Sequence, residues 1–362
     1  MAIGNRSARA RLEAELRAPG HAYLLTGRAG WGVAVAAREF AAALAGIDPK
    51  RISAGHPDVL EVRAEGTQIR MEQVRELWRD IQMRPFSAER RVYLLWDAET
   101  MPELVQHALL KSIEEPPAHA VIVLVCAQPN RLLATVRSRC TLIPFGPLTS
   151  AEIAGELEID QQTARAAAGD LERARELAQG GDARDRRARY LALARASYRD
   201  DAFDPAAAAR AVADAAAGRA AELRTAVEAE TEQLLAQLGD RPPRGEASRV
   251  RKAGEALAKR RARAAEVDET RAAVDLIALW FRDLLAVAVG APDALLCADH
   301  ASELGEDGAG REQLASRALA AARETRRALD LTITPALASE ALFHRLRALA
   351  RSTGSLSPRA AG

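Results

Sequence analysis

The chain has 362 residues, with 51 basic and 50 acidic side chains and a formal charge of +1. That balance excludes a global field that would drive the whole molecule onto DNA or a membrane, and 48% hydrophobic content excludes a disordered chain. Cys126, Cys140 and Cys297 stand too far apart for a disulfide framework or a Cys-x-x-Cys metal site, and neither an apolar leader nor an apolar run of eighteen residues occurs, so a soluble, cytoplasmic protein of two or three domains is expected.

In chain order, the first 145 residues alternate short apolar runs with helical patterns. Strands are predicted at 22–26 (AYLLT), 59–62, 92–96 (VYLLW), 120–126 (AVIVLVC) and 141–145, and helices at 33–44, 71–83 and 105–115. Several of the strands lack polar alternation, as strands covered on both faces of a parallel sheet do. Strand–helix alternation of this kind predicts an α/β domain. After Gly146-Pro147 the texture changes. Two short helices are expected between 148 and 180, broken near Ile159-Asp160 and closed by Gly180-Gly181. Beyond them, strand signals vanish and about five helices are predicted, with breaks at 198–205, 240–245, 290–292 and 305–310. Domains are accordingly expected at 1–147, 148–182 and 183–350, with a disordered tail over 351–362.

Gly27-Arg28-Ala29-Gly30-Trp31-Gly32-Val33-Ala34 follows the first predicted strand and opens a helix, with the glycine spacing of a phosphate-binding loop, G-x-x-x-x-G-K-[S/T]. Gly27, Gly30 and Gly32 could turn backbone N–H groups toward phosphates at a helix N-terminus. The lysine and hydroxyl that such a loop needs are replaced by Val33 and Ala34. At the end of the third predicted strand, Trp96 stands where a Mg²⁺-organising carboxylate is expected, with Asp97 beside it. These substitutions point to a retired nucleotide site.

Downstream, Leu109-Leu110-Lys111-Ser112-Ile113-Glu114-Glu115-Pro116-Pro117 closely resembles the L-L-K-x-L-E-E-P-P signature of bacterial clamp-loader AAA+ subunits. Asn130 to Cys140 (NRLLATVRSRC) resembles their stretch from the sensor-1 position to the Ser-Arg-Cys motif, and His56-Pro57-Asp58 and Ile69 to Arg75 are similar to the same family. The resemblance covers residues 20–147. It implies a RecA-like AAA+ parallel-sheet domain, a small helical lid and a C-terminal helical collar. Among the family's three kinds of subunit, a degenerate nucleotide loop combined with Ser138-Arg139-Cys140 resembles the delta-prime kind; Gly169 to Ala174 agrees, with Glu172 where a working ATPase would place an arginine. The interval 45–55 lacks the four cysteines found in many relatives, so zinc is not expected.

The resemblance implies that Arg139 is an arginine finger offered in trans to ATP and Mg²⁺ on a neighbouring gamma/tau subunit, with Ser138 and Cys140 positioning it and no nucleotide cofactor of the chain's own. Implied partners are gamma/tau and delta subunits in a five-membered ring, and through that ring the sliding clamp and primer-template DNA of a nucleoid-associated replisome; no membrane is involved. Two alternatives stay open: an AAA+ ATPase with a divergent pocket, and a non-replicative interaction protein on the same fold. Read by itself, Arg139 could also be a surface arginine in a strand-entry turn, the lesser of the two readings. Cys126 and Cys140 read as small buried hydrophobes, and Glu114-Glu115 as a helix end stopped by proline with a structural or interface role. Residues 241–263 carry nine cations against Glu246 and Glu255, a net +7. That segment reads as either a phosphate-backbone site or an exposed helix face balanced by Glu266, Asp268 and Glu269.

Overall fold

The computed structural model describes residues 5–53, 56–64, 68–237, 245–329 and 333–354. Its elements are α1 (Arg6–Glu15), β1 (Ala22–Thr26), α2 (Val33–Ala45), α3 (Pro49–Ser53), β2 (Val59–Val62), α4 (Met71–Asp80), β3 (Arg91–Leu95), α5 (Glu103–Glu114), β4 (Ala120–Cys126), α6 (Ala134–Arg137) and β5 (Thr141–Pro144). There follow α7 (Ser150–Leu157), α8 (Gln161–Ala166), α9 (Leu171–Gln179), α10 (Asp182–Arg199), α11 (Pro205–Gln237), α12 (Glu246–Ala288), α13 (Ala301–Gly308), α14 (Glu312–Ala328) and α15 (Pro335–Ser352). The chain divides into two compact units, Met1–Ala178 and Gln179–Gly362.

In the first unit the five strands form one parallel sheet in the order β2-β3-β4-β1-β5. Alternation along the strands divides their side chains between two cores. Tyr23, Leu25, Val92, Leu94, Val121, Val123 and Val125 pack beneath α1 and α2 with Phe40 and Ala41. Leu24, Tyr93, Leu95, Ile122 and Leu124 pack on the opposite face with Val74, Leu77, Leu109 and Ile113 of α4 and α5. All seven residues of β4 are buried, which is why its sequence reads as an unbroken apolar run. The first unit is thus a parallel-sheet α/β domain, as expected, and it is followed by a helical second unit.

Asp58 ties β2 to the loop before β3. Its fully buried carboxylate accepts from the backbone N–H groups of Phe86 (2.6 Å), Ser87 (2.8 Å) and Ala88 (2.9 Å). Burial alone would raise this carboxyl, but the three donors and nearby Arg91 outweigh it and hold the group below the ordinary carboxylate range. A depressed folded-state pKa contributes stability that is present above the unfolded-state value and lost as the pH falls through the folded-state value. Asp58→Ala is therefore expected to cost about 2–3 kcal/mol at neutral pH, and less as the pH drops below about 4. Denaturant titrations of both proteins across that range check the sign.

Residues 148–178 contain α7, α8 and most of α9, with a small core of Ile153, Ala164, Ala167, Leu171, Ala174 and Leu177. Three helices stand here where the sequence suggested two. Asp160 caps α8 by accepting from Thr163 N–H at 2.8 Å, and Gly169 turns the chain with φ 85°. Gly169 also lies so close to Pro147 that an added Cβ would stand 2.5 Å from the proline Cβ.

The second unit is entirely helical among its described residues, with six helices where about five were predicted. α11 and α12 run side by side over alanine-rich faces; a Cβ on Gly254 would collide with the Thr231 side chain at 2.3 Å. Trp280, Phe281, Tyr190, Tyr198 and Phe343 are buried. Buried polar groups are joined: Trp280 Nε1 donates to Tyr198 Oη (3.0 Å), and that hydroxyl donates to fully buried Asp307 (2.9 Å). Asp307 also pairs with Arg195 (2.8 Å) and Arg199 (3.1 Å), so its charge is compensated inside the bundle. The expected break at 305–310 falls later, because α13 continues through Gly305 to Gly308. α15 continues to Ser352; residues 355–362 of the expected tail, and 238–244 of the basic segment, lie outside the described residues. No helix among the described residues is long and apolar enough to cross a membrane.

Candidate functional site

The glycine-rich loop joins β1 to α2 at the carboxyl end of the sheet, with Gly27 N–H bonded to the Cys126 carbonyl at the end of β4 (3.1 Å). A Cβ at Gly27 would meet Phe145 at 2.8 Å and Val33 at 2.9 Å, and Gly32 caps α2 with φ 80°. The backbone thus has the shape of a phosphate loop. Its side-chain chemistry is different. Val33 is 1% exposed and belongs to the core under the sheet, and Ala34 packs against the same core. Neither a cation nor a hydroxyl is offered at these two positions.

Two further groups bear on the expected nucleotide site. The first is Asp170, the residue before α9. Its carboxylate lies against Gly30 so closely that a Cβ there would fall 2.1 Å from its carboxyl carbon, while its Oδ1 accepts from Arg173 N–H at 3.0 Å. A fixed negative charge therefore sits on the glycine whose amide would face a phosphate. The second is Trp96, immediately after β3 and 4% exposed. Its indole N–H donates to Glu61 (3.1 Å), and the guanidinium carbons of Arg38 and Arg63 lie 5.0 and 4.4 Å from the ring centroid. Glu61 accepts from both arginines, at 2.8 and 3.1 Å; burial would raise its carboxyl, but these partners bring it below the usual range. The position at which the sequence led a metal-organising carboxylate to be expected holds an indole packed into an ion-pair cluster.

Beside it, Asp97 is left-handed (φ 52°), and its carboxyl is pushed up by loss of water and by the charge of Glu99. Glu99 is buried and accepts from Ala127 N–H at 3.0 Å. Glu172, which the resemblance set opposite a working ATPase's arginine, pairs with Arg175 of its own helix at 2.9 Å.

Arg139 stands elsewhere, on the turn between α6 and β5, with its side chain 41% exposed. Its Nε pairs with Glu114 Oε1 at 2.5 Å and its Nη1 donates to the Thr135 carbonyl at 3.1 Å. Ser138 is exposed and donates to the same carbonyl (3.2 Å). Cys140 is partly buried against the α4–α5 core, and burial pushes its thiol up to about 12. Burial, with Glu99, also raises the thiol of Cys126, so neither cysteine is primed as a nucleophile.

The segment 131–133 that leads into α6, one helical turn before Arg139, is held by Gln106 of α5. This buried amide donates to the carbonyls of Met101 (2.9 Å) and Arg131 (3.2 Å) and accepts from Leu133 N–H (2.7 Å). Glu114 and Gln106 were not singled out from the sequence as partners of Arg139 and of this segment. The signal available was their place in the L-L-K-x-L-E-E-P-P helix, which packs under the Ser-Arg-Cys segment.

A family described as "DNA polymerase III, delta subunit" matches residues 7–149. The chain is 34% identical over 140 residues to DNA polymerase III subunit delta' of Bacillus subtilis, spanning 35% of this chain and 43% of that protein. It is 40% identical over 135 residues to the Pseudomonas aeruginosa protein of the same name, spanning 33% and 41%. The chain thus spans about two fifths of the length of these curated relatives. Among solved structures, a DNA polymerase III gamma-subunit-related protein from Thermotoga maritima aligns over 95% of this chain and 99% of its own with 16% identity and a TM-score of 0.44. Residues 7–149 are thus similar to the DNA polymerase III delta-subunit family and to delta' subunits of clamp loaders.

Proposed function

We propose that this chain works as a clamp-loader subunit that neither binds nor hydrolyses ATP itself and gives Arg139 to an ATP site on an adjacent subunit. The observation that carries this reading is a contrast within one module. The chain's own phosphate loop carries the Asp170 carboxylate against Gly30 and has Val33 and Ala34 in place of a lysine and a hydroxyl, whereas Arg139 is exposed, with the exposed carboxylate of Glu114 as its ion-pair partner. A guanidinium offers planar, permanently charged donors where charge develops in phosphoryl transfer. Residues 148–182 would serve as the lid, and residues 183–350 as the collar that holds the ring.

Gamma/tau and delta subunits would be the ring partners, and primer-template DNA and the sliding clamp the substrates of the assembly. Nucleotide bound at the neighbour would be gripped across the interface by Arg139, so that nucleotide state sets the angle between subunits. Reconstitution tests this reading. Mixed with gamma/tau and delta subunits, the chain is expected to co-elute in one complex and to be required for ATP-dependent clamp loading. Failure to co-elute, or full loading without the chain, would favour an interaction protein outside replication.

A further inference from the structure

We propose that the exposed cationic face of α12 binds the phosphate backbone of duplex nucleic acid without reading its sequence. The face is built from Arg249, Lys252, Lys259, Arg260 and Arg263, all exposed. At 3.6 residues per turn these five positions fall within an arc of about 100°, and at 1.5 Å per residue they extend over about 21 Å. Gly254, Ala258 and Ala265 occupy the opposite side of the helix, where Ala258 and Ala265 are buried and Gly254 meets Thr231 of α11. Packing against α11 therefore fixes the direction in which the cations point.

The stripe is not neutralised by its surroundings. From Arg249 to Arg263 there are seven cations and one carboxylate, Glu255. Of the five acidic residues of the neighbouring helix, three are already paired: Glu222 with Arg219 (2.9 Å), Glu228 with Arg224 (2.9 Å), and Glu230 with Arg261 on the α11-facing side of α12 (3.6 Å). Among the described residues, no ion pair engages the five cations of the stripe. In a chain whose overall charge is only +1, this is a concentrated local field.

Partner chemistry follows from what the helix has and lacks. Residues 245–270 contain no aromatic side chain on which an unpaired base could stack. Contact would be with phosphates alone, where a duplex presents about one charge per 1.7 Å of axis and needs no particular register. A bilayer is disfavoured, because an interfacial helix needs a free apolar face and that side of α12 is covered by α11.

The test uses the full chain and a fluorescein-labelled 30-bp duplex, with anisotropy followed from about 50 to 200 mM salt. Five phosphate contacts predict a slope of log K against log salt near −4.5, by about −0.9 per contact. Lys252→Glu/Lys259→Glu/Arg263→Glu, all at exposed positions, should weaken binding at least about tenfold and flatten the slope by about 2.7. Arg210→Glu/Arg219→Glu/Arg224→Glu on α11, a control of the same charge change at exposed positions, should do much less. Absence of duplex binding, an unchanged slope in the triple variant, or an equal loss in the α11 control would overturn the proposal. So would binding to anionic vesicles or to an acidic peptide while the duplex is ignored. Because the isolated chain is used, failure here is distinguishable from failure of the ring-subunit reading, which is tested in the reconstituted complex.

Discussion

Arg139→Ala is expected to lower ATP hydrolysis at the adjoining site of a reconstituted loader by on the order of 10³-fold, with the complex still assembled. The side chain is 41% exposed and belongs to neither core of the sheet, so its removal should change the stability of the chain by less than about 0.5 kcal/mol. Its pair with Glu114 is close but solvent-accessible, and such pairs contribute less than about 1 kcal/mol. A guanidinium held that lightly can turn toward a triphosphate at small cost. Arg139→Lys should rescue little, because an ammonium cannot present the same planar fork. Hydrolysis that continues unchanged in the assembled Arg139→Ala complex would remove this residue from the mechanism.

Trp96→Ala should destabilise the first unit by about 3–5 kcal/mol, the range for deleting a buried aromatic side chain. The loss combines several terms: the volume of a ring that is 4% exposed, two stacked guanidinium groups, and the bond to Glu61. Trp96→Phe keeps most of the packing and should cost far less, about 1 kcal/mol for the missing donor. Trp96→Asp should be at least as harmful as alanine, because it sets a second carboxylate beside Glu61 in a space shaped for an indole. Unfolding of a chain with two units need not be two-state. Hydrogen exchange at the β2 and β3 amides is therefore the suitable readout, and protection retained in Trp96→Ala would show that the indole is only a passenger.

The sheet was legible because β1, β3 and β4 are buried along almost their whole length, so apolar runs mark them, while β2 and β5 are only partly buried and β5 ends at Pro144 rather than at residue 145. β3 begins one residue earlier than expected. Arg91 joins the ladder opposite Ala120 while its guanidinium reaches Asp80 at 2.7 Å, and Trp96 leaves the strand to meet Glu61. A charged residue at a strand start and an aromatic just after its end invert the usual cues. The long α12 was harder to read because alanine and arginine alternate without a sharp apolar stripe; its buried face is defined by small residues such as Gly254 and Ala258.

For the site, the glycine spacing and the losses at Val33, Ala34 and Trp96 could be read directly. What filled the pocket could not be read from spacing. Asp170 reaches Gly30 across 140 positions of sequence, and nothing local announces that contact. Asp58 was noticed within the His-Pro-Asp motif, but its role depends on the amides of 86–88, which carry no side-chain signature.

The central claim is that the pocket is closed to nucleotide by the chain's own side chains, and calorimetric titration of the purified full chain with Mg·ATP tests it most directly. No saturable binding is expected up to millimolar nucleotide for the wild type, or for Val33→Lys/Ala34→Thr, in which the Asp170 carboxylate still covers Gly30. Adding Asp170→Ala to that pair should produce measurable affinity. Micromolar binding by the wild-type chain, with or without hydrolysis, would contradict the claim.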